Sequence, residues 1–192
     1  MKIFLASSNE LKHEREYLAD VVFYLGRLLH DMGSEQRVEL VKWEYLDSSM
    51  GIDHKQDEYN RELATCDAAV VLFWRKFGEY TESEFQTAIH GVRSSGSTRR
   101  LSVLFKETGE IRSLELETFR CNLLSAWGIG PIAFSSDGEL RTHFLSTVFA
   151  VISDVDPSFA IPPTPTLVKY GLSQYRNDIL LTRHDERSIW WN

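Results

Sequence analysis

The run Ala68–Trp74, AAVVLFW, constrains the fold more than any other stretch of this chain. It is apolar at every position, so it lacks the apolar–polar alternation of a strand with one wet face. It ends abruptly at Arg75-Lys76. Such a segment suits a strand buried on both faces, and sheets covered on both faces are characteristically parallel, with helices packed against each side. The residues that follow, Phe77-Gly78-Glu79-Tyr80, read as a loop. Thr81-Glu82-Ser83-Glu84 then reads as a helix start, with Phe85, Ala88, Ile89 and Val92 along one side.

The same strand–loop–helix unit recurs along the chain. Lys2–Ala6 is a short apolar run, and Ser7, Ser8 or Asn9 can cap the helix after it; Ser7 with Glu10 has capping-box spacing. Leu18, Val21, Val22, Leu25, Leu28, Leu29 and Met32 recur at three and four, and Gly33 stops that helix. Arg37–Trp43 alternates as a second strand, Glu44–Lys55 reads as a loop, and a polar helix is expected from Gln56 to Thr65. Leu101–Phe105 and Gly130–Phe134 give two further strands. A helix is expected over Leu114–Ala126, and a last one is capped by Ser136 or Asp137. No Asn-Gly hairpin signal separates the strands. The alternation predicts an α/β fold: a flavodoxin-like three-layer sandwich, its five-stranded parallel sheet in order 2-1-3-4-5 with helices on both faces.

Two parts are expected. Residues 1–154 form the α/β domain, and 155–192 form a proline-rich linker (Pro157, Pro162, Pro163, Pro165) with an apolar tail. The tail has three open readings: packing back on the sheet, self-association, or leading into a further domain. The net charge of -7 argues against a nucleic-acid-coating surface. No apolar run reaches the ~20 residues of a membrane-spanning helix, and the N-terminus reads as a strand, not a signal peptide. Cys66 and Cys121, without CxxC spacing and both in apolar settings, read as reduced core thiols of a cytoplasmic protein.

The chain has no Walker loop, GxGxxG, HExxH or GxSxG, and no His/Cys cluster at metal spacing, so no metal or bound cofactor is expected. His13, His54 and His90 are scattered and read as solvated. What remains is topological. The loops after the first three strands, Ser7–Asn9, Asp47–Asp53 and Trp74–Glu84, open on one edge of the sheet and can line one crevice. Within it Glu84 has two readings. Thr81-x-x-Glu84 is a capping box, and a carboxylate in the first turn suits the helix dipole. A capped carboxylate is also a rigid one, about 90° off the buried stripe, where it can face a ligand. Glu79 and Glu82 are rivals that nothing obvious fixes.

Two blocks carry a resemblance. Phe4-Leu5-Ala6-Ser7-Ser8, continuing through Leu11 to Glu14-Arg15, is similar to the opening of TIR (Toll/interleukin-1 receptor)-like domains at the N-termini of bacterial defence and signalling ATPases. Phe77-Gly78-Glu79-Tyr80-Thr81-x-x-Glu84-Phe85-x-x-Ala88 resembles a second segment of the same relatives, in the place of the W-x-x-E-L element. The resemblance covers about Lys2–Asp154. It implies cleavage of NAD, as substrate, at the nicotinamide–ribose bond, with Glu84 as the catalytic carboxylate. It further implies nucleotide contacts from Ser7, Ser8 and Asn9, and ring stacking by Trp74, Phe77 or Tyr80. Arg75 or Lys76 would meet the pyrophosphate, and Asp47 would stand in the pocket-shaping loop. The expected partners are further copies of the chain through TIR–TIR contacts, and a sensor or effector domain or protein. The sequence departs from many TIR enzymes in ending its first strand Ala-Ser-Ser-Asn and its third Phe-Trp. Two other functions remain open: a non-enzymatic self-associating adaptor, and a nucleoside deoxyribosyltransferase-like enzyme, for which the D-S-G run before the glutamate is missing.

Overall fold

The computed structural model describes residues 1–42, 61–77, 79–93 and 100–173, with side chains 85–92 of the third of these segments. Five strands form one sheet: β1 (Lys2–Ser7), β2 (Glu39–Lys42), β3 (Ala68–Phe73), β4 (Arg100–Lys106) and β5 (Ile132–Phe134). Every pairing is parallel and the order is β2-β1-β3-β4-β5. The helices are α1 (Lys12–Asp31), α2 (helical over 61–65), α3 (Glu79–Arg93), α4 (Leu114–Trp127), α5 (Asp137–Val155) and α6 (Thr164–Lys169).

All six residues of β3 are buried, which is why that run tolerates no polar side chain. The period-two alternation of a strand sorts its residues between two cores. Ile3, Leu5, Ala68, Val70, Leu72 and Leu104 face the helices α1 and α5, where Leu18, Leu25, Phe144 and Val148 are buried. Phe4, Ala6, Ala69, Val71, Phe73, Val103 and Phe105 face the opposite way, toward Leu63, Phe85, Ala88, Leu116 and Leu123. The sheet is thus covered on both faces, as expected of a parallel one.

Several local expectations shift. The second strand is shorter than Arg37–Trp43 and the fifth shorter than Gly130–Phe134. The last helix takes Ser136 as its cap, whose hydroxyl accepts from the Glu139 amide at 3.3 Å. Glu139 returns the bond one residue earlier, accepting from the Ser135 amide at 2.6 Å. At the fourth helix Ser113 caps by accepting from Leu116, and Gly128, at φ 72°, ends it in the left-handed conformation a side chain would resist. The proline-rich segment does not lead away as an extended linker over its described part. Phe159 and Ile161 pack against the α1/α5 core, Leu167 and Leu172 lie inside it, and Pro165 stands in the first turn of α6, where a missing amide hydrogen costs nothing.

Candidate functional site

In the order β2-β1-β3-β4-β5, β1 leads away to β2 on one side and β3 leads away to β4 on the other. The β1–α1 and β3–α3 turns therefore diverge, which opens a crevice at the C-terminal ends of these two strands. Ser7 pairs with Leu72 in register across that boundary. Two of the three loops expected to meet thus do so through their flanking strands; residues 43–60, with Asp47, lie outside the described residues.

The Ser7–Glu10 capping box does not form. Ser7 is the last residue of β1, 6% exposed, and its hydroxyl accepts from Arg15 Nη1 at 2.9 Å. The same nitrogen donates to the Ser8 carbonyl at 2.7 Å. Arg15, itself 2% exposed, thus reaches back from the first turns of α1 to hold the strand end. Ser8 begins a 3₁₀ turn over Asn9–Leu11 without a side-chain cap, and its buried Oγ has no partner among the described residues. Asn9 is exposed.

Glu10 is used differently from what its spacing suggested. Its carboxylate accepts from the Arg75 amide at 3.0 Å, from the Lys76 amide at 3.3 Å and from Arg75 Nε at 3.2 Å. It therefore ties the β1–α1 turn to the β3–α3 loop. Sequence reasoning missed this role because the partners stand 65 and 66 positions away. Glu14, 2% exposed, makes a second such link, with its carboxylate 2.6 Å from Lys106 Nζ at the end of β4.

Trp74 is half-buried at the same edge, and its indole N–H donates to Thr108 Oγ1 at 2.8 Å. Arg75 and Lys106 already lie over its ring, at 4.2 and 4.3 Å from the centroid. Phe77 turns inward, stacking on Phe73 at 5.6 Å and meeting Phe119 at 4.7 Å. Lys76 is exposed. Glu84 and Tyr80 fall on α3, and their side chains lie outside the described residues. The helix starts at Glu79, so Thr81 lies inside it instead of capping it, and Glu84 stands in the second turn. The capping-box reading of Glu84 is corrected accordingly: the helix extends N-terminally through Glu79 and Tyr80, which the sequence reading left in the loop.

Among the described residues no three His, Cys, Asp or Glu side chains stand together as metal ligands would. A cavity of about 220 Å³ lies at the opposite, N-terminal edge of the sheet, lined by Arg100, Phe149, Asp154 and Ile161 among others. Its charged pair is already satisfied, with Arg100 gripping Asp154 through two bonds at 2.9 and 3.0 Å.

No protein-family model matches the chain, and no curated protein matches it. Among solved structures it is similar to a CMP N-glycosidase of Clostridium botulinum. The identity is 14%, over 76% of this chain and 99% of that one, with a TM-score of 0.48. It is also similar to the rubredoxin oxygen:oxidoreductase of Desulfovibrio gigas. Here the identity is 16%, over 81% of this chain and 36% of that one, with a TM-score of 0.40. Neither likeness bears on the chemistry of the crevice.

Proposed function

We propose that this chain is a TIR-like NAD glycohydrolase, acting at the crevice between β1 and β3 with Glu84 as its catalytic carboxylate. The observation that carries the reading is the strand order, which makes the β1–β3 boundary the switch point and sends α3 directly off β3. The two blocks that carry the resemblance flank that boundary, one running from β1 into α1 and the other from the β3–α3 loop into α3.

The chemistry asks little beyond a positioned carboxylate. In NAD the leaving nicotinamide is a cationic pyridinium, so it departs as a neutral base without a general acid. The C1′–N bond breaks with its electron pair going to nicotinamide. Positive charge then spreads over the ribose C1′ and ring oxygen, as in glycoside hydrolysis. A fixed carboxylate stabilises that charge through preorganisation. Water adds to C1′ and releases one proton, giving ADP-ribose. In this reading Glu10 and Arg15 hold the two turns that border the nucleotide, and self-assembly of the domain switches the activity on.

A second reading, assembly without catalysis, has its own support. Ile111 is 90%, Leu114 84% and Leu124 64% exposed, large apolar side chains on and beside α4 that an adaptor would cover on assembly. One experiment separates the two. The purified protein, concentrated until it assembles, is incubated with NAD, and nicotinamide release is followed for wild type and Glu84→Ala. Turnover that falls roughly 10²–10³-fold in the variant supports the catalytic reading. An assembled sample with no turnover sinks it in favour of the adaptor. Base exchange between nucleosides without NAD cleavage points to the deoxyribosyltransferase-like enzyme instead.

A further inference from the structure

Arg75 is the first basic residue after β3, and the fold holds it at several points. Its amide donates to Glu10 at 3.0 Å and its carbonyl accepts from the Ser113 amide at 2.8 Å. The β1–α1 turn thus fixes its peptide on one side and the β4–α4 loop on the other. Its guanidinium lies over the Trp74 ring, 4.2 Å from the centroid, and its Nε donates to Glu10 Oε2 at 3.2 Å. The platform is fixed in turn. The Trp74 N–H donates to Thr108 Oγ1 at 2.8 Å, and Lys106, also over that ring, is anchored 2.6 Å from the buried Glu14 carboxylate.

What remains over is the far end of the guanidinium. Nη1 and Nη2 have no partner among the described residues, and neither nitrogen is buried, on a side chain 41% exposed. Together they are a pair of N–H donors that can grip two oxygens of a phosphate or carboxylate. Arg100 shows the contrast, since it meets Asp154 with Nε and Nη2 together, at 2.9 and 3.0 Å. Arg75 meets Glu10 through Nε alone, and Glu10 is already met by two amides. Charge points the same way. Arg75 and the exposed Lys76 stand side by side against the one carboxylate of Glu10, while Glu107, next to Thr108, is taken up by Arg112 at 2.8 Å and Arg120 at 3.1 Å. A long side chain immobilised before its ligand arrives loses less entropy on binding it.

We propose that Arg75 is an oxyanion grip at the β1–β3 boundary, held in place by Trp74 and Glu10, and that its ligand is a phosphate group. That this phosphate belongs to the diphosphate of NAD rests on the function proposed above; the grip itself does not. Trp74 then carries the cation that meets the ligand, and Arg75, ahead of Lys76, makes the phosphate contact.

The test is an NMR titration of the full chain with inorganic pyrophosphate, against chloride at matched ionic strength and fixed pH. It follows the Arg75 Nε–H resonance, assigned through its own backbone amide. A saturable shift is expected with pyrophosphate and none with chloride. Arg75→Lys keeps the charge but not the two-donor end, so its apparent Kd, read from the Lys76 and Phe77 amides, should weaken roughly tenfold. Lys76→Met removes an exposed point charge and should weaken it about threefold. An Nε–H that does not shift, a Kd unchanged in Arg75→Lys, or a larger loss in Lys76→Met than in Arg75→Lys overturns the proposal. The wild-type titration decides even where Arg75→Lys fails to fold. With NAD, Arg75→Lys should raise KM roughly tenfold and change kcat little. The two readings fail separately. Pyrophosphate held at Arg75 by an assembled protein that leaves NAD uncut sinks the hydrolase and keeps the grip. NAD cleaved with both KM and the Nε–H titration indifferent to Arg75 sinks the grip and keeps the hydrolase.

Discussion

Glu10→Ala tests whether the two turns at the crevice are held together by one carboxylate. The Glu10 side chain is 12% exposed and accepts three bonds. The bond from the Arg75 amide is short and partly buried, and a hydrogen bond to a charged group is worth about 1.5–3 kcal/mol net. The other two count for less, since the Lys76 bond is longer and the Arg75 side chain is 41% exposed, where solvent screens the ion pair. Together they add about 0.5–1 kcal/mol. The expected loss is therefore about 3 kcal/mol, or roughly 6–12 °C in melting temperature for a domain of this size. Glu10→Gln keeps one acceptor oxygen but aims an amide donor at backbone donors, and about half the loss is expected. The assay is urea unfolding, in which the midpoint falls while the denaturant slope stays constant. Amide hydrogen exchange at residues 75 and 76 should accelerate about tenfold or more. Glu16→Ala serves as the control, because its pair with Lys12 is 3.6 Å long and its side chain 63% exposed. That variant should stay within about 0.5 kcal/mol of wild type. A Glu10→Ala protein as stable as Glu16→Ala, with unchanged exchange at 75 and 76, refutes the clamp.

Lys106→Met strands the buried Glu14 carboxylate and should cost about 3–5 kcal/mol by chemical denaturation, while adding Glu14→Leu restores most of it. A double variant no more stable than Lys106→Met would show that the pair is not what is lost. The Glu139 carboxyl is held below its ordinary pKa by the Ser135 amide and hydroxyl. Its contribution is therefore complete above about pH 4.3, the unfolded value, and disappears as pH falls through the lower folded one. Glu139→Gln should narrow its stability gap from wild type over that acid window, which urea midpoints against pH would show; a constant gap would contradict the assignment. Burial pushes the Cys66 thiol up to about 12, whereas Cys121, expected in the core, is exposed on α4. One thiol should react with a disulfide reagent at pH 8 in the native protein and two in denaturant, and native labelling of Cys66 would contradict its burial.

The parts of this fold legible from sequence are those decided by local burial. Ala68–Phe73 announces a two-faced strand because each of its positions is packed, and a chain of such runs without hairpin turns admits few topologies besides the one observed. Spacing signals were less dependable, because a capping residue chooses among all partners within reach. Ser136 caps its helix as its position suggests. Ser7 and Glu10 have the spacing of a box, but Arg15 takes the serine and two distant amides take the glutamate. Phe77 reads as a loop aromatic available to a ligand, yet Phe73 and Phe119 already offer it an apolar surface. The prolines near residue 160 suggest a spacer by composition, while Phe159, Ile161, Leu167 and Leu172 among them carry enough apolar area to hold the segment on the core. Non-local pairings of this kind leave no periodic trace in a single sequence.

The strand order has a consequence for how the chain is made. A ribosome delivers β1 first, but β1 ends as an interior strand whose second neighbour, β3, begins only at Ala68. Its Phe4 and Ala6, on the face toward α3, wait for Phe85 and Ala88, and the other layer is not closed until Phe144 and Val148 of α5 emerge. Long-range parallel pairing forms slowly and leaves apolar edges open in the interval. β1 therefore stays half-covered from its emergence until α5 follows, and the crevice between β1 and β3 exists only after both layers have arrived.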